Sequence, residues 1–195
     1  MTQPVSSPGA SPPDSAQDMP PSADRGRRVV QIGGVVVILA LLTLFAFGLR
    51  LRASGRVDRG PAPDFSLQLF NGDKVTLSDL QGQPVVLNFW ASWCKPCAEE
   101  APVLEEVWRS YKDQGVVFIG IDYVDTEPDA LAYLERFDIT YPNGPDLGTR
   151  ISTAYRMQGV PETFFITKDG NILDVYIGAL PRSTLIAQVE QLLQE

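Results

Sequence analysis

The chain has 195 residues, room for one full-sized domain with appendages, and its 16 Lys/Arg against 24 Asp/Glu give a net charge of −8. It has no histidine and only two cysteines. That excludes Ser-His-Asp and Cys-His catalysis, His-ligated zinc, a four-thiolate zinc site within one chain, and a c-type haem attachment site of its own. The charge is uneven: residues 1–60 hold 7 basic and 4 acidic side chains, net +3, and residues 61–195 hold 9 and 20, net −11, which argues against nucleic acid as a partner.

Residues 1–28 are rich in Pro, Ser, Ala and Gln with no apolar period, the composition of a disordered tail. Residues 29–49 carry no charge and include Val35-Val36-Val37-Ile38-Leu39-Ala40-Leu41-Leu42. At ~1.5 Å per residue that run spans roughly 30 Å, a hydrocarbon core, and predicts a transmembrane anchor. The run exceeds the ~7–15 apolar residues of a cleaved leader, and no cysteine follows it for lipid attachment. Arg25, Arg27 and Arg28 precede it and Arg50, Arg52, Arg56 and Arg59 follow it, so counting positive charges does not orient it. Residues 50–60 read as a polar linker.

From residue 61 to residue 195 the pattern is that of one globular domain. Asp64 to Phe70 alternates, Asn71-Gly72-Asp73 supplies a turn, and Lys74 to Leu77 resumes, a β-hairpin. Ser78-Asp79-Leu80 reads as one helical turn capped by Ser78 and ended by Gly82. Val85 to Ala91 is nearly continuous apolar, a central strand covered on both faces. A helical pattern runs from Ala98 to about Lys112 with Leu104, Val107, Trp108 and Tyr111 on one side, and Pro102 should kink it. Val116 to Asp122 is a second buried strand. Helices follow over Pro128–Phe137, with Leu131, Leu134 and Phe137 facing in, and over Thr149–Met157. Thr163–Thr167 and Ile172–Ile177 flank a tight turn at Lys168-Asp169-Gly170-Asn171, and Leu185, Val189, Leu192 and Leu193 mark a last helix. The order predicts an α/β fold, a mixed central sheet flanked by helices with an antiparallel pair at its far end.

Both cysteines lie in Trp93-Cys94-Lys95-Pro96-Cys97, where the central strand runs into a helix. Cys94 there meets the positive end of the helix dipole and free N–H groups, which favour a thiolate, and Lys95 adds a cation. Pro96 suits a first helical turn. Cys97, one turn in, should be the more buried, resolving thiol. The pair is a dithiol/disulfide switch, since no further Cys or His exists to complete a zinc site.

Phe89-Trp90-Ala91-Ser92-Trp93-Cys94-Lys95-Pro96-Cys97 resembles a thioredoxin-fold active site. Residues 61–195 as a whole resemble the membrane-anchored, extracytoplasmic thiol–disulfide oxidoreductases of the TlpA/ResA/CcmG (DsbE) type, in the redoxin (AhpC/TSA-related) superfamily. The match rests on the hairpin entrance Ala62 to Gly82, the loop Gly159-Val160-Pro161-Glu162-Thr163-Phe164, and an insert from Asp122 to Tyr155. The resemblance implies a thioredoxin-like fold with an N-terminal hairpin and a central insert, a redox-active Cys94–Cys97 disulfide and a cis Val160–Pro161 bond opposite it. Ordinary thioredoxins carry a buried aspartate where this chain has Asn88, which cannot take a proton. The maturation-type reductases place an acid three residues after the second cysteine, here Glu100. Trp93, Pro96 and Val160 are expected to meet the client, and Tyr123 and Asp125 fall where the family places polar recognition residues. Trp90 flanks the site as a docking surface or as core.

The expected function is reduction of cysteine pairs in exported proteins, apocytochrome c foremost, by an anchored domain outside the cytoplasm, recycled by a membrane electron donor. No cofactor or metal is implied. A general thiol oxidoreductase, a thiol peroxidase and a non-catalytic binding module are the alternatives. The peroxidase lacks support because Ala91 and Leu87 stand where peroxiredoxins need Thr or Ser and Pro.

Overall fold

In the computed structural model, the residues described are 23–52 and 57–195, with side chains described over 30–45 and 57–195. The chain forms two compact units, Met1–Ser54 and Gly55–Glu195. In the first, a single helix α1 covers Ala23–Arg52, 30 residues. It runs past the apolar stretch at both ends because no proline interrupts it. The irregular tail expected over 1–28 is therefore helical from Ala23 on, and residues 1–22 lie outside the described residues. Its described apolar side chains, Val35 to Leu42 among them, are exposed, and the Thr43 hydroxyl donates back to the Leu39 and Ala40 carbonyls. Among the described residues no helix is long and apolar enough to cross a membrane. The span expected at 29–49 reaches beyond the described side chains at both ends.

The second unit is built on a six-stranded mixed sheet. Its strands are β1 (Gly60–Pro61), β4 (Val85–Trp90), β5 (Val117–Asp122), β6 (Asn143–Pro145), β7 (Glu162–Ile166) and β8 (Asn171–Ile177), with β2 (Ser66–Gln68) and β3 (Lys74–Thr76) forming the separate hairpin. The order across the sheet is β1-β8-β7-β4-β5-β6. Strand β4 runs parallel to β5, with Trp90 opposite Asp122, and antiparallel to β7, with Asn88 opposite Thr163. Helices α2 (Lys95–Tyr111), α3 (Glu127–Arg136), α4 (Arg150–Ala154) and α5 (Arg182–Gln194) complete the unit.

Because side chains alternate along a strand, β4 divides its residues between two cores. Val85, Leu87 and Phe89 join the hairpin's Phe65 and Leu67 and the α4 residues Ile151 and Tyr155. Val86 faces Leu104 and Val107 of α2 and Leu185, Val189 and Leu192 of α5. Asn88 and Trp90 follow Val86 on that second face, nearest the cysteines. Burying both faces is what the unbroken apolar run of β4 requires.

The structure corrects several local expectations. Edge strands β1 and β6 were not legible, since Gly60-Pro61 and Asn143-Gly144-Pro145 read as turns and proline is tolerated only at such an edge. The turn at Leu77–Leu80 is not capped by the Ser78 side chain; the Asp64 carboxylate accepts from the Ser78 and Phe65 amides instead. Helix α4 is cut to Arg150–Ala154 because Thr149 (φ 53°) and Arg156 (φ 52°) on either side are left-handed. On α3 Ala130 and Tyr133 are buried, Leu134 and Phe137 pack beside them as expected, and Leu131 is exposed. Tyr133 fixes that orientation by stacking on Trp90, ring centroids 4.4 Å apart. Gly120 is required beside them: a Cβ there would sit 1.7 Å from the Asn143 Oδ1 that accepts the Trp90 indole N–H.

Candidate active site

Strand β4 ends at Trp90, and the chain turns over Ala91-Ser92-Trp93, closed by a bond from the Cys94 amide to the Ala91 carbonyl (3.2 Å). Cys94 then caps α2 from an extended backbone, with Pro96 in the first helical turn. Its Sγ accepts the Cys97 amide N–H at 3.2 Å. That is the contact that would stabilise a Cys94 thiolate once the pair is reduced. Here the two sulfurs are bonded, S–S 2.00 Å with Cα atoms 5.3 Å apart. Cys97 is wholly buried and Cys94 retains 4% exposure, so Cys94 is the sulfur a partner reaches first.

The Val160–Pro161 bond is cis. Val160 packs against the cluster that contains Cys94, Cys97, Trp90 and Tyr133. A cavity of about 290 Å³ is shared by Pro96, Val160, Pro161 and Ile177. The Pro161 carbonyl is held by the Gly178 amide (2.9 Å), and Glu162, fully inside, accepts the Gln158 amide (3.0 Å) to hold the loop from behind.

Behind Cys97, Glu100 is 2% exposed. Its Oε1 accepts from Asn88 Nδ2 (2.9 Å) and its Oε2 from the Leu180 amide (2.7 Å), while Asn88 Nδ2 also donates to Thr163 Oγ1 (3.0 Å). Burial pushes the Glu100 carboxyl up to about 7, against the opposing pull of the Leu180 and Asn88 donors. The neighbouring Glu99 is exposed. The asparagine that cannot take a proton is thus bonded directly to the acid that can.

On the other side, Trp93 projects into solvent with its indole N–H on the Val124 carbonyl (3.0 Å). The Tyr123 amide bonds the Trp90 carbonyl (2.8 Å), and the Tyr123 side chain is half-buried. Asp125 turns inward: Oδ2 accepts the Ser92 amide at 2.6 Å and Oδ1 the Thr126 amide at 2.8 Å. The fold therefore packs Val160 against Cys94 and Cys97, puts Pro96, Val160 and Pro161 on one cavity, projects Trp93 into solvent near Tyr123 and Asp125, and buries Glu100 one turn along α2. Trp90 belongs to the core. Two buried acids close by, Asp122 and Glu162, escaped the sequence reading. The available signal was an acid ending an apolar run, in Val117-Phe118-Ile119-Gly120-Ile121-Asp122, or opening one, in Glu162-Thr163-Phe164-Phe165-Ile166.

A helix-capping cysteine joined to a second one turn on, facing a cis-proline loop, is suited to exchanging a disulfide with another protein. Comparison with known proteins agrees. Residues 59–175 match the AhpC/TSA family. The chain is 35% identical over 131 residues to the thiol–disulfide oxidoreductase ResA of Bacillus cereus, covering 67% of this chain and 76% of that protein. Among solved structures it is similar to a thioredoxin-family thiol:disulfide interchange protein of Chlorobium tepidum (TM-score 0.65, 27% identity, 72% of this chain and 99% of that one). It is also similar to a secreted Mycobacterium tuberculosis disulfide oxidoreductase homologous to DsbE (TM-score 0.60, 26% identity, 65% and 95%). The chain belongs to the AhpC/TSA family and is, within it, a thiol–disulfide oxidoreductase with a thioredoxin-like fold.

Proposed function

We propose that this oxidoreductase is held in the membrane by the apolar part of α1 and works outside the cytoplasm as a reductase of cysteine pairs in exported proteins, apocytochrome c foremost. In the reduced enzyme the Cys94 thiolate attacks one sulfur of the client disulfide, and the client's other sulfur leaves as a thiolate that takes a proton. Cys97 gives its proton to Glu100 and attacks Cys94 Sγ, and the second client sulfur leaves as a thiolate that takes that proton back from Glu100. The client gains two electrons and two protons, and the enzyme is left with the Cys94–Cys97 bond seen here. A membrane thiol donor returns two electrons and two protons.

The observation that carries this reading is Glu100: a buried carboxyl raised to about 7, one turn from Cys97, can accept and return a proton at neutral pH. Client binding falls to Trp93, Pro96, Val160 and Pro161, with Tyr123 and Asp125 shaping the wall beside them. The anchor is supported by the charge-free sequence of residues 29–49 and by the exposed apolar surface of α1.

The test is a trap. In cells making the full-length Cys97→Ala form, Cys94 cannot be released from its client, and the disulfide-linked partners are identified. Recovery of apocytochromes or of cytochrome-maturation components supports the reading. A broad set of exported proteins replaces it with a general oxidoreductase, and no partner at all removes the reductase role. An impermeant thiol reagent that fails to reach reduced Cys94 from outside overturns the topology.

A further inference from the structure

Asp122 closes β5 on the face of the sheet that carries Trp90, and it is 3% exposed. Its Oδ1 has no hydrogen-bond partner. Asp125, three residues on, lies within hydrogen-bonding reach of the Asp122 carboxyl. The two oxygens of Asp125 are already engaged by the Ser92 and Thr126 amides. Two carboxylates this close cannot both be charged cheaply away from water, so the pair holds a proton between them. Asp125 has N–H donors on both oxygens and Asp122 Oδ1 has none, so Asp122 is the acid of the pair whose charge is costlier to hold.

What Asp125 holds is the turn that carries Trp93. Its Oδ2 grips the amide of Ser92, the residue before Trp93, at 2.6 Å. The next link is Val124, whose carbonyl takes the Trp93 indole N–H although its own backbone is left-handed at φ 47°. A β-branched residue resists that conformation, so it persists only while its surroundings enforce it. Trp93 and Val124 are 59% and 58% exposed, an apolar pair beside Cys94 held by bonds from behind.

We propose that Asp122 is a positioning residue for this surface: protonated, it bonds Asp125 and locks the Ser92–Trp93 turn and the Val124 corner; ionised, it loosens them, and docking on Trp93 weakens. The charged group acting on Asp122 is Asp125. Strand β4 presents Trp90 opposite it and β6 presents Pro145. Asp146, next along, spends its carboxylate on the Ile151 and Ser152 amides. On α3, Glu127 and Asp129 are exposed, with Asp129 bonded to the Thr126 hydroxyl, and on α2 Lys95 is exposed while Glu100 is engaged by Asn88 and Leu180. Among the described residues no cation acts on Asp122, and burial followed by the Asp125 charge pushes it up to about 7.

The inference rests on the reading of Trp93 as part of the client surface, yet its test needs no client. The oxidised full-length chain in detergent micelles is labelled with ¹³C-carboxyl aspartate and ¹⁵N-indole tryptophan and titrated by NMR. The Trp93 signal is identified among the three tryptophans by its loss in Trp93→Phe. The expected result is one aspartate carboxyl and the Trp93 indole shifting together with a midpoint near 7. That inflection is lost in Asp122→Asn and in Asp125→Asn and kept in Glu100→Gln. A Trp93 signal that does not move across the titration, that still moves in Asp122→Asn, or that stops moving in Glu100→Gln overturns the latch. The Cys97→Ala trap can fail without touching this result, and the reverse holds as well.

Discussion

Of the buried acids near the cysteine pair, Glu100 and Asp122 are buried differently. Glu100, on the helix side, has an N–H donor on each carboxyl oxygen and sits inside a network that reaches Asn88, Thr163 and Leu180. Asp122, at the strand end, has one oxygen without a partner and a second acid against it. Both are raised to about 7, Glu100 by burial alone and Asp122 by burial and then by repulsion. A neutral-range acid can therefore be made in a satisfied network or in a frustrated pair. The first suits passing a proton to a neighbouring thiol, the second suits moving a loop.

The sharpest break in this comparison is Glu100→Leu. It keeps the bulk but leaves the Leu180 amide and one N–H of the Asn88 side chain without their acceptor inside the protein, the other N–H staying on Thr163. Each orphaned donor costs about 1–3 kcal/mol, so a loss on the order of 4 kcal/mol is expected in denaturant unfolding of the full chain in detergent. All three tryptophans lie in the second unit, so their fluorescence reports its unfolding. Asp122→Leu removes an already under-satisfied oxygen and should cost clearly less. Equal losses would mean that the two acids are buried alike.

Next in size is the pH dependence of stability. The folded-state value of Glu100, about 7, lies above its ordinary 4.5, so the folded chain holds a proton that the unfolded chain releases. The stabilisation is complete below pH 4.5 and is lost as pH rises through 7, in total on the order of 3 kcal/mol. Asp122 acts in the same direction, from 3.8 to about 7. Wild type should therefore weaken from mildly acidic to neutral pH. Glu100→Gln should flatten much of that slope, because an amide cannot take the proton that the carboxyl does. A slope unchanged in Glu100→Gln would place the titration elsewhere.

How far this site was legible in the sequence follows from what each part depends on. Cys94, Cys97 and the strand before them are local facts, an apolar run ending at a spaced pair, and they were plain. Asn88 and Glu100 were legible through family likeness, but their mutual bond was not, because it joins a strand to a helix twelve residues away. Asp125 was marked as a recognition residue. Its carboxylate faces inward to the Ser92 amide, 33 residues earlier in the chain, and a contact at that separation leaves no local signature. Leu131 misled for the opposite reason: its spacing suited the inward face that Leu134 and Phe137 do join, but the stack of Tyr133 on Trp90 centres that face on Ala130 and Tyr133 and leaves Leu131 exposed.

The smallest effect expected is also the finest test of the difference between the two acids. Thr163 lies on β7 opposite Asn88, fully buried, and its hydroxyl oxygen accepts the Asn88 amide that also reaches Glu100. Thr163→Val keeps the shape and the β-branch and removes that one acceptor. Asn88 keeps its bond to Glu100, so the cost should be about 1 kcal/mol, the net value of one hydrogen bond, measured by the same unfolding. Freed from Thr163, the Asn88 amide serves Glu100 alone, and a stronger bond to a carboxylate favours the ionised form. The pH at which stability falls should then shift slightly downward, with the Trp93 titration unmoved. If Thr163→Val shifts the Trp93 midpoint as well, the two acids belong to one coupled network, and the separate roles assigned to them merge.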